Sequence, residues 1–173
     1  ALPQPDRPGI VMTHWRTDPM MAFVPRAWPV PKRITPQWLE CQAFCNQLIQ
    51  DQHLAQRVQL HVATPSVYAD PQLAAIALGN LLSNAGKYSA TDQPIELRLT
   101  RQGDWLCCEV NDRGCGIEDA HLPHIFQRFY RVPGGGDVDG SGLGLYMVRR
   151  IAELHGGQVN AERRDGGETA DFF

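Results

Sequence analysis

The stretch "GNLLSNAGKYSA" (79–90) reads as an ordinary helix until its polar residues are placed on it. Leu73 and Ile76 lie just upstream, and Leu81 and Leu82 within it. Asn80, Asn84 and Lys87 follow one another at spacings of four and three. On an α-helix such positions share one face. That face continues the one carrying Leu73 and Ile76. Two carboxamides and an ammonium therefore stand where core residues are expected. A buried polar group without a partner costs free energy, so this stripe needs something to bond.

Outward from the stripe, Asp70-Pro71 opens the helix as an N-cap with proline in the first turn. "RVQLHVA" (57–63) alternates as a strand. Thr35-Pro36 repeats the cap signature and predicts a helix to about His53, with Leu39, Phe44, Leu48 and Ile49 apolar. Residues 1–34 carry prolines at 3, 5, 8, 19, 25, 29 and 31. They read as a lead-in or linker, contributing at most one edge strand near Trp28–Ile34. Downstream, Ile95, Leu97 and Leu99 alternate with polar residues, Gly103-Asp104 turns, and Leu106, Cys108 and Val110 alternate back. This predicts a hairpin with one buried face. Residues 122–130 predict a short helix, 132–142 a mobile glycine-rich loop, and "LGLYMVRRIAELH" (143–155) a strong helix stopped by Gly156. "QVNAERR", a turn at Asp165–Gly167 and "ETADFF" predict a last hairpin. The order points to an α+β two-layer sandwich, with helices on one face of a mixed or antiparallel sheet.

Bulk properties narrow the function. The 173 residues suffice for one cored domain, and 43% hydrophobic with 20% charged residues is ordinary globular composition. A net charge of −3 gives no nucleic-acid surface. No apolar run spans a membrane and no signal-peptide pattern opens the chain. Five cysteines without Cys-x-x-Cys argue against a disulfide framework or zinc, and for a reducing compartment. Cys41 and Cys45 share a helix face and read as core.

Three further patterns carry chemistry. Period two places Asp112 on the buried face, and "DRGCG" follows it with Gly114 and Gly116; this reads either as a pocket floor or as a tight turn with an Asx bond. Glycines 140, 142 and 144 precede the strongest helix, whose free N–H groups suit phosphate oxygens. "IFQRFYRV" (125–132) sets Arg128 and Arg131 beside that loop. Together these fit one nucleotide site.

In this order the motifs resemble the catalytic ATP-binding domain of sensor histidine kinases, within the wider group of gyrase, heat-shock chaperone, histidine kinase and mismatch-repair ATPases. "NLLSNAGKYS" looks like their asparagine box, "DRGCGI" the first glycine box, "IFQRFYRV" the phenylalanine box and "GSGLGL" the second glycine box. The resemblance covers residues 35–173 and implies a Bergerat-type fold: about five mixed strands, three helices on one face and a flexible ATP lid at 132–141. It implies ATP and Mg²⁺ as ligands. Asp112 would accept from the adenine amino group. Asn84 would ligate Mg²⁺, assisted by Asn80. Lys87 would contact phosphate, and Tyr88 and Tyr130 would border the nucleotide. Gly114, Gly116 and Ile117 would shape the base pocket. Arg131, with Arg128, would approach the terminal phosphate. Ser141, Gly142, Leu143, Gly144 and Leu145 would cap the phosphates, and Thr169 would touch the nucleotide.

The sequence departs from the family in three places. Glu168 intervenes between the last glycines and Thr169, and the chain stops at Phe173. No H-E-x-x-x-P acceptor motif is present. "HWRTDP" at 14–19 echoes it, but the prolines that follow forbid a helical hairpin, so His14 reads as incidental. The expectation is therefore the cytoplasmic ATP-binding part of a larger bacterial receptor. It would phosphorylate a histidine on a dimerisation domain outside this chain and, through it, serve a response regulator. It would neither bind nucleic acid nor insert in a membrane itself. An ATPase or serine kinase of the same fold would be expected to carry glutamate at Asn80 as its base. A nucleotide-sensing module without transfer is the third reading.

Overall fold

The computed structural model describes residues 34–133 and 141–162, together with the backbone of 9–14. Its helices are α1 (Cys41–Asp51), α2 (Pro71–Tyr88) and α3 (Gly144–Leu154). Its strands are β1 (Gly9–His14), β2 (Gln37–Glu40), β3 (Val58–Val62), β4 (Ser66–Ala69), β5 (Ile95–Gln102), β6 (Trp105–Asn111) and β7 (Val159–Asn160). Five strands form one mixed sheet in the order β3-β5-β6-β1-β7. Only β5–β6 is antiparallel in it, with Leu97 opposite Val110. The second sheet is the antiparallel pair β2–β4.

The core follows from the alternation. Ile95, Leu97 and Leu99 on β5 and Leu106, Cys108 and Val110 on β6 are buried in one cluster with Leu48 of α1, Leu81 and Leu82 of α2, and Val148 and Ile151 of α3. The helices thus cover one face of the sheet, as expected. Each fully buried side chain of this size contributes about 1.5–3 kcal/mol by transfer from water. Cys41 and Cys45 belong to this core; burial pushes the Cys45 thiol up to about 12 and leaves it protonated. Asp70 caps α2 as read, its carboxylate accepting from the N–H groups of Gln72 (3.0 Å) and Leu73 (3.1 Å). Gly103 takes φ 61° in the β5–β6 turn and Gly156 takes φ 79° after α3.

Two local expectations need correction, and two others fall largely outside the described residues. Thr35 does not cap α1. Its N–H and hydroxyl donate to the Asp70 carboxylate at 2.8 and 2.9 Å, and β2 intervenes before α1 begins at Cys41. The extended chain after Thr35 pairs with β4, Gln37 opposite Ala69, which overrides the local helix signal. The lead-in contributes β1, flanked by β6 and β7; the edge strand expected near Trp28–Ile34 lies outside the described residues except for Ile34. No proline falls within β1. His14 ends this strand, opposite Val110. Residues 122–130 form no helix but successive turns, His124 N–H to the His121 carbonyl and Gln127 N–H to that of His124, ended by Phe129 at φ 63°. Of the expected last hairpin, β7 is described and its partner segment lies outside. Among the described residues no helix is long and apolar enough to cross a membrane.

Candidate functional site

The C-terminal half of α2 carries two residues of the polar stripe, Asn80 and Asn84, inward, and the third, Lys87, to the surface. Asn84 is 0% exposed, and neither its amide nitrogen nor its amide oxygen has a hydrogen-bond partner among the described residues. Asn80 is also buried; its amide donates to the Ile76 carbonyl at 2.9 Å, which fixes the side chain along the helix. Lys87, a turn further, is exposed; the partial burial it has lowers its pKa. Tyr88 ends the helix, half-buried.

The "DRGCGI" loop leans on that helix end. Asp112 is buried, and its Oδ1 accepts from the Gly114 N–H at 2.8 Å. The Asx turn therefore exists, and it is part of a close approach. A Cβ on Gly114 would lie 2.5 Å from the Tyr88 carbonyl oxygen and 2.8 Å from Asp112 Oδ1. Only glycine fits there. Gly116 takes φ 75°, and Ile117 is buried in the core cluster.

On the far side, the phenylalanine segment grips the second glycine loop. The Phe129 N–H donates to the Gly142 carbonyl at 2.9 Å. Gly142 has φ 65°, and a Cβ there would lie 2.7 Å from the Phe129 carbonyl carbon. Ser141 has a buried hydroxyl oxygen with no partner among the described residues. Leu143 starts α3 without any side-chain cap, and Gly144 and Leu145 follow, buried. Among the described residues no side-chain cap closes the first N–H groups of α3. Arg128 is exposed and stacks on the Phe129 ring at 4.7 Å; Arg131 is exposed as well. The Tyr130 hydroxyl lies 2.7 Å from His121 Nδ1. Packing of α2 against α3 joins the two halves. Thr169 and lid residues 134–140 lie outside the described residues.

Sequence reading missed Arg57. Its guanidinium reaches across to the end of α2, onto carbonyls that nothing near residue 57 announces.

The chain belongs to the family of histidine kinase-, DNA gyrase B- and HSP90-like ATPases, whose pattern matches residues 69–173. Membership implies an ATP-binding domain, here of the sensor-kinase type. The chain is similar to the sensor protein CreC of Escherichia coli, 38% identical over 120 residues that cover 67% of this chain and 25% of that protein. It is also similar to a bacteriophytochrome of Pseudomonas aeruginosa, 36% identical over 98 residues covering 56% of this chain and 14% of that one. The matched part therefore spans between 14% and 25% of these curated relatives. Among solved structures, the catalytic domain of the histidine kinase ThkA superposes with a TM-score of 0.61 at 18% identity, over 70% of this chain and 82% of that one. The mycobacterial sensor histidine kinase MprB gives 0.57 at 23% identity, over 70% and 81%. These likenesses show the fold.

Proposed function

We propose that this chain is the catalytic part of a two-component sensor histidine kinase, with residues 35–173 as the working domain and 1–34 leading into it and adding β1 to its sheet. It moves the γ-phosphate of ATP to a histidine on the receptor's dimerisation domain, from which a response regulator takes it. The receptor places this part in the cytoplasm. The observation that carries the reading is Asn84: a fully buried carboxamide whose two polar atoms have no partner among the described residues, on the face of α2 that the motifs assign to nucleotide. Such a group costs roughly 1–3 kcal/mol unless a ligand repays it.

The residues divide the work. Asp112 accepts from the base, in a pocket shaped by Gly114, Gly116 and Ile117 and bordered by Tyr88 and Tyr130. Lys87 and the start of α3, from Ser141 through Leu145, hold the phosphates by charge and by N–H groups. Arg131 and Arg128 approach the terminal phosphate and Thr169 the nucleotide. The Asn84 oxygen fits Mg²⁺, a hard cation that takes oxygen ligands and is usually completed by substrate phosphates. Among the described residues no group of three or more His, Cys, Asp or Glu forms a rival metal cage. When bound, Mg²⁺ supplies charge neutralisation and alignment of the phosphates. Asn80 assists by position; a carboxamide cannot take a proton, so water is not activated and hydrolysis stays slow.

The test is transfer in trans. Radiolabelled ATP with this chain and its receptor's own histidine domain is expected to place an acid-labile label on that domain, slowly, because an untethered encounter lacks a linker's effective concentration. Acid-stable label on this chain would contradict the reading in favour of a serine or threonine kinase. Rapid phosphate release without acceptor would contradict it in favour of an ATPase.

A further inference from the structure

From the hydrogen bonds at the end of α2 we infer that Arg57 is a positioning residue for the nucleotide site, an inference that rests on the nucleotide reading of that site. Arg57 sits in the segment before β3, remote in sequence from every motif. Its Nη1 donates to the Gly86 carbonyl at 3.0 Å. Its Nη2 donates to the Ser89 hydroxyl and to the Ala90 carbonyl, each at 2.7 Å. Its Nε donates to the Gln93 carbonyl at 3.2 Å. One planar guanidinium thus holds the last turn of α2 and the turn that follows it.

Cations at a helix C-terminus stabilise the unpaired carbonyls there. Here the geometry reaches further. Gly86 lies between Asn84 and Lys87, and Ser89 follows Tyr88 directly. The Ser89 hydroxyl passes the contact on, donating to the Ala85 carbonyl next to Asn84. Tyr88 offers the carbonyl against which Gly114 packs, and Gly114 in turn bonds Asp112. Arg57 therefore fixes the helix end from which Asn84, Lys87 and the Asp112 loop take their positions. It also ties this end to the sheet, because its own carbonyl accepts from the Ile95 N–H at 2.9 Å. A fork with five donors in one plane can hold four acceptors at once; a lysine cannot.

The experiment titrates ADP into the wild-type chain, Arg57→Lys and Arg57→Ala by calorimetry, well below each protein's thermal midpoint. Amide shifts of Lys87, Tyr88 and Gly114 are followed in parallel. Arg57→Lys keeps the charge and keeps the decision open where Arg57→Ala does not fold. The expected result is a folded Arg57→Lys chain that binds ADP roughly tenfold more weakly, with shifts at all three reporters, because a site loosened by a fraction of an ångström loses binding. A lowered midpoint with wild-type ADP affinity, and shifts confined to residues 89–93, would overturn the inference and leave Arg57 a structural cap. Failure of the wild-type chain itself to bind ADP would overturn the site reading, and the inference with it.

Discussion

Helices α2 and α3 meet at the same site but end in opposite ways. The N-terminus of α2 is closed by its own protein: Asp70 accepts two N–H groups of the helix, Thr35 braces the carboxylate, and His155 accepts from the Asp70 N–H at 3.1 Å. The N-terminus of α3 follows Leu143, which offers no side-chain cap. The interiors are reversed. The polar atoms of Asn84 on α2 have no partner among the described residues, whereas α3 buries Leu145, Met147, Val148 and Ile151 as plain core. One helix withholds its backbone and offers side chains; the other offers backbone and withholds side chains. The nucleotide site proposed above asks for both kinds of partner, side-chain groups from one helix and backbone N–H groups from the other.

The largest effect is expected at the loop that leans on α2. Asp112→Ala removes a charged hydrogen-bond acceptor, worth roughly 1.5–3 kcal/mol, so ADP affinity should fall about ten- to hundredfold by calorimetry. Wild-type affinity in this variant would mean that the base is read elsewhere. Next come the two glycines that bring the halves together. Gly114→Ala places a methyl against the Tyr88 carbonyl, and Gly142→Ala places one against the Phe129 backbone. Each should cost about 1–3 kcal/mol in denaturant unfolding through overpacking. An alanine tolerated at either position would show that the approach is looser than described.

Asp70 is expected to matter for stability and not for binding. Asp70→Ala should lower stability by about 0.5–2 kcal/mol while leaving ADP affinity unchanged. Burial alone would raise the Asp70 pKa, but the hydrogen bonds from Thr35, Leu73 and Gln72 outweigh it and hold the carboxyl below its ordinary 3.8. A carboxylate whose folded pKa is depressed contributes its stability in full above the unfolded value and loses it as pH falls through the folded one. The gap between wild type and Asp70→Ala should therefore be constant at neutral pH and shrink on acidification below about pH 4. A gap that is flat across this range would remove the ionised cap. The smallest effect sharpens the contrast from the other side. Leu143→Asp would give α3 the cap it lacks, raising the thermal midpoint of the nucleotide-free chain by the equivalent of about 0.5–1 kcal/mol. ATP affinity should fall, because the carboxylate competes with phosphate; unchanged affinity would place the phosphates away from α3.

The parts of this fold legible in the sequence were those fixed by neighbours in the chain. Asp70-Pro71, the alternation of Ile95, Leu97 and Leu99 against Leu106, Cys108 and Val110, and the stripe of α3 each specify their element within a few residues. The candidate site draws on the same locality, since Asn80, Asn84 and Lys87 share one helix and Asp112, Gly114 and Gly116 one loop. What could not be read depends on distant pairing. Thr35-Pro36 carries the same signal as Asp70-Pro71, and only the antiparallel pairing with residues 66–69 decides that it leads into a strand. β1 is placed by partners almost a hundred residues away, such as Trp105 opposite Gly9. The turns at 121–130 look helical in composition, yet the left-handed Phe129 ends any helix there. Arg57 finds its acceptors 29 to 36 residues further on.

The most direct measurement is the Mg²⁺ dependence of ATP binding in the wild-type chain and in Asn84→Ala, with thermal midpoints recorded for both without nucleotide. The wild-type chain should bind ATP more tightly with Mg²⁺ than with a chelator present. Asn84→Ala should lose that difference while retaining base-directed binding through Asp112, and its midpoint should not fall, because the substitution removes two buried polar atoms without a partner among the described residues. An unaltered Mg²⁺ dependence in a folded Asn84→Ala chain, or a wild-type chain that ignores nucleotide, would contradict the assignment of the polar stripe of α2 to a metal–nucleotide site.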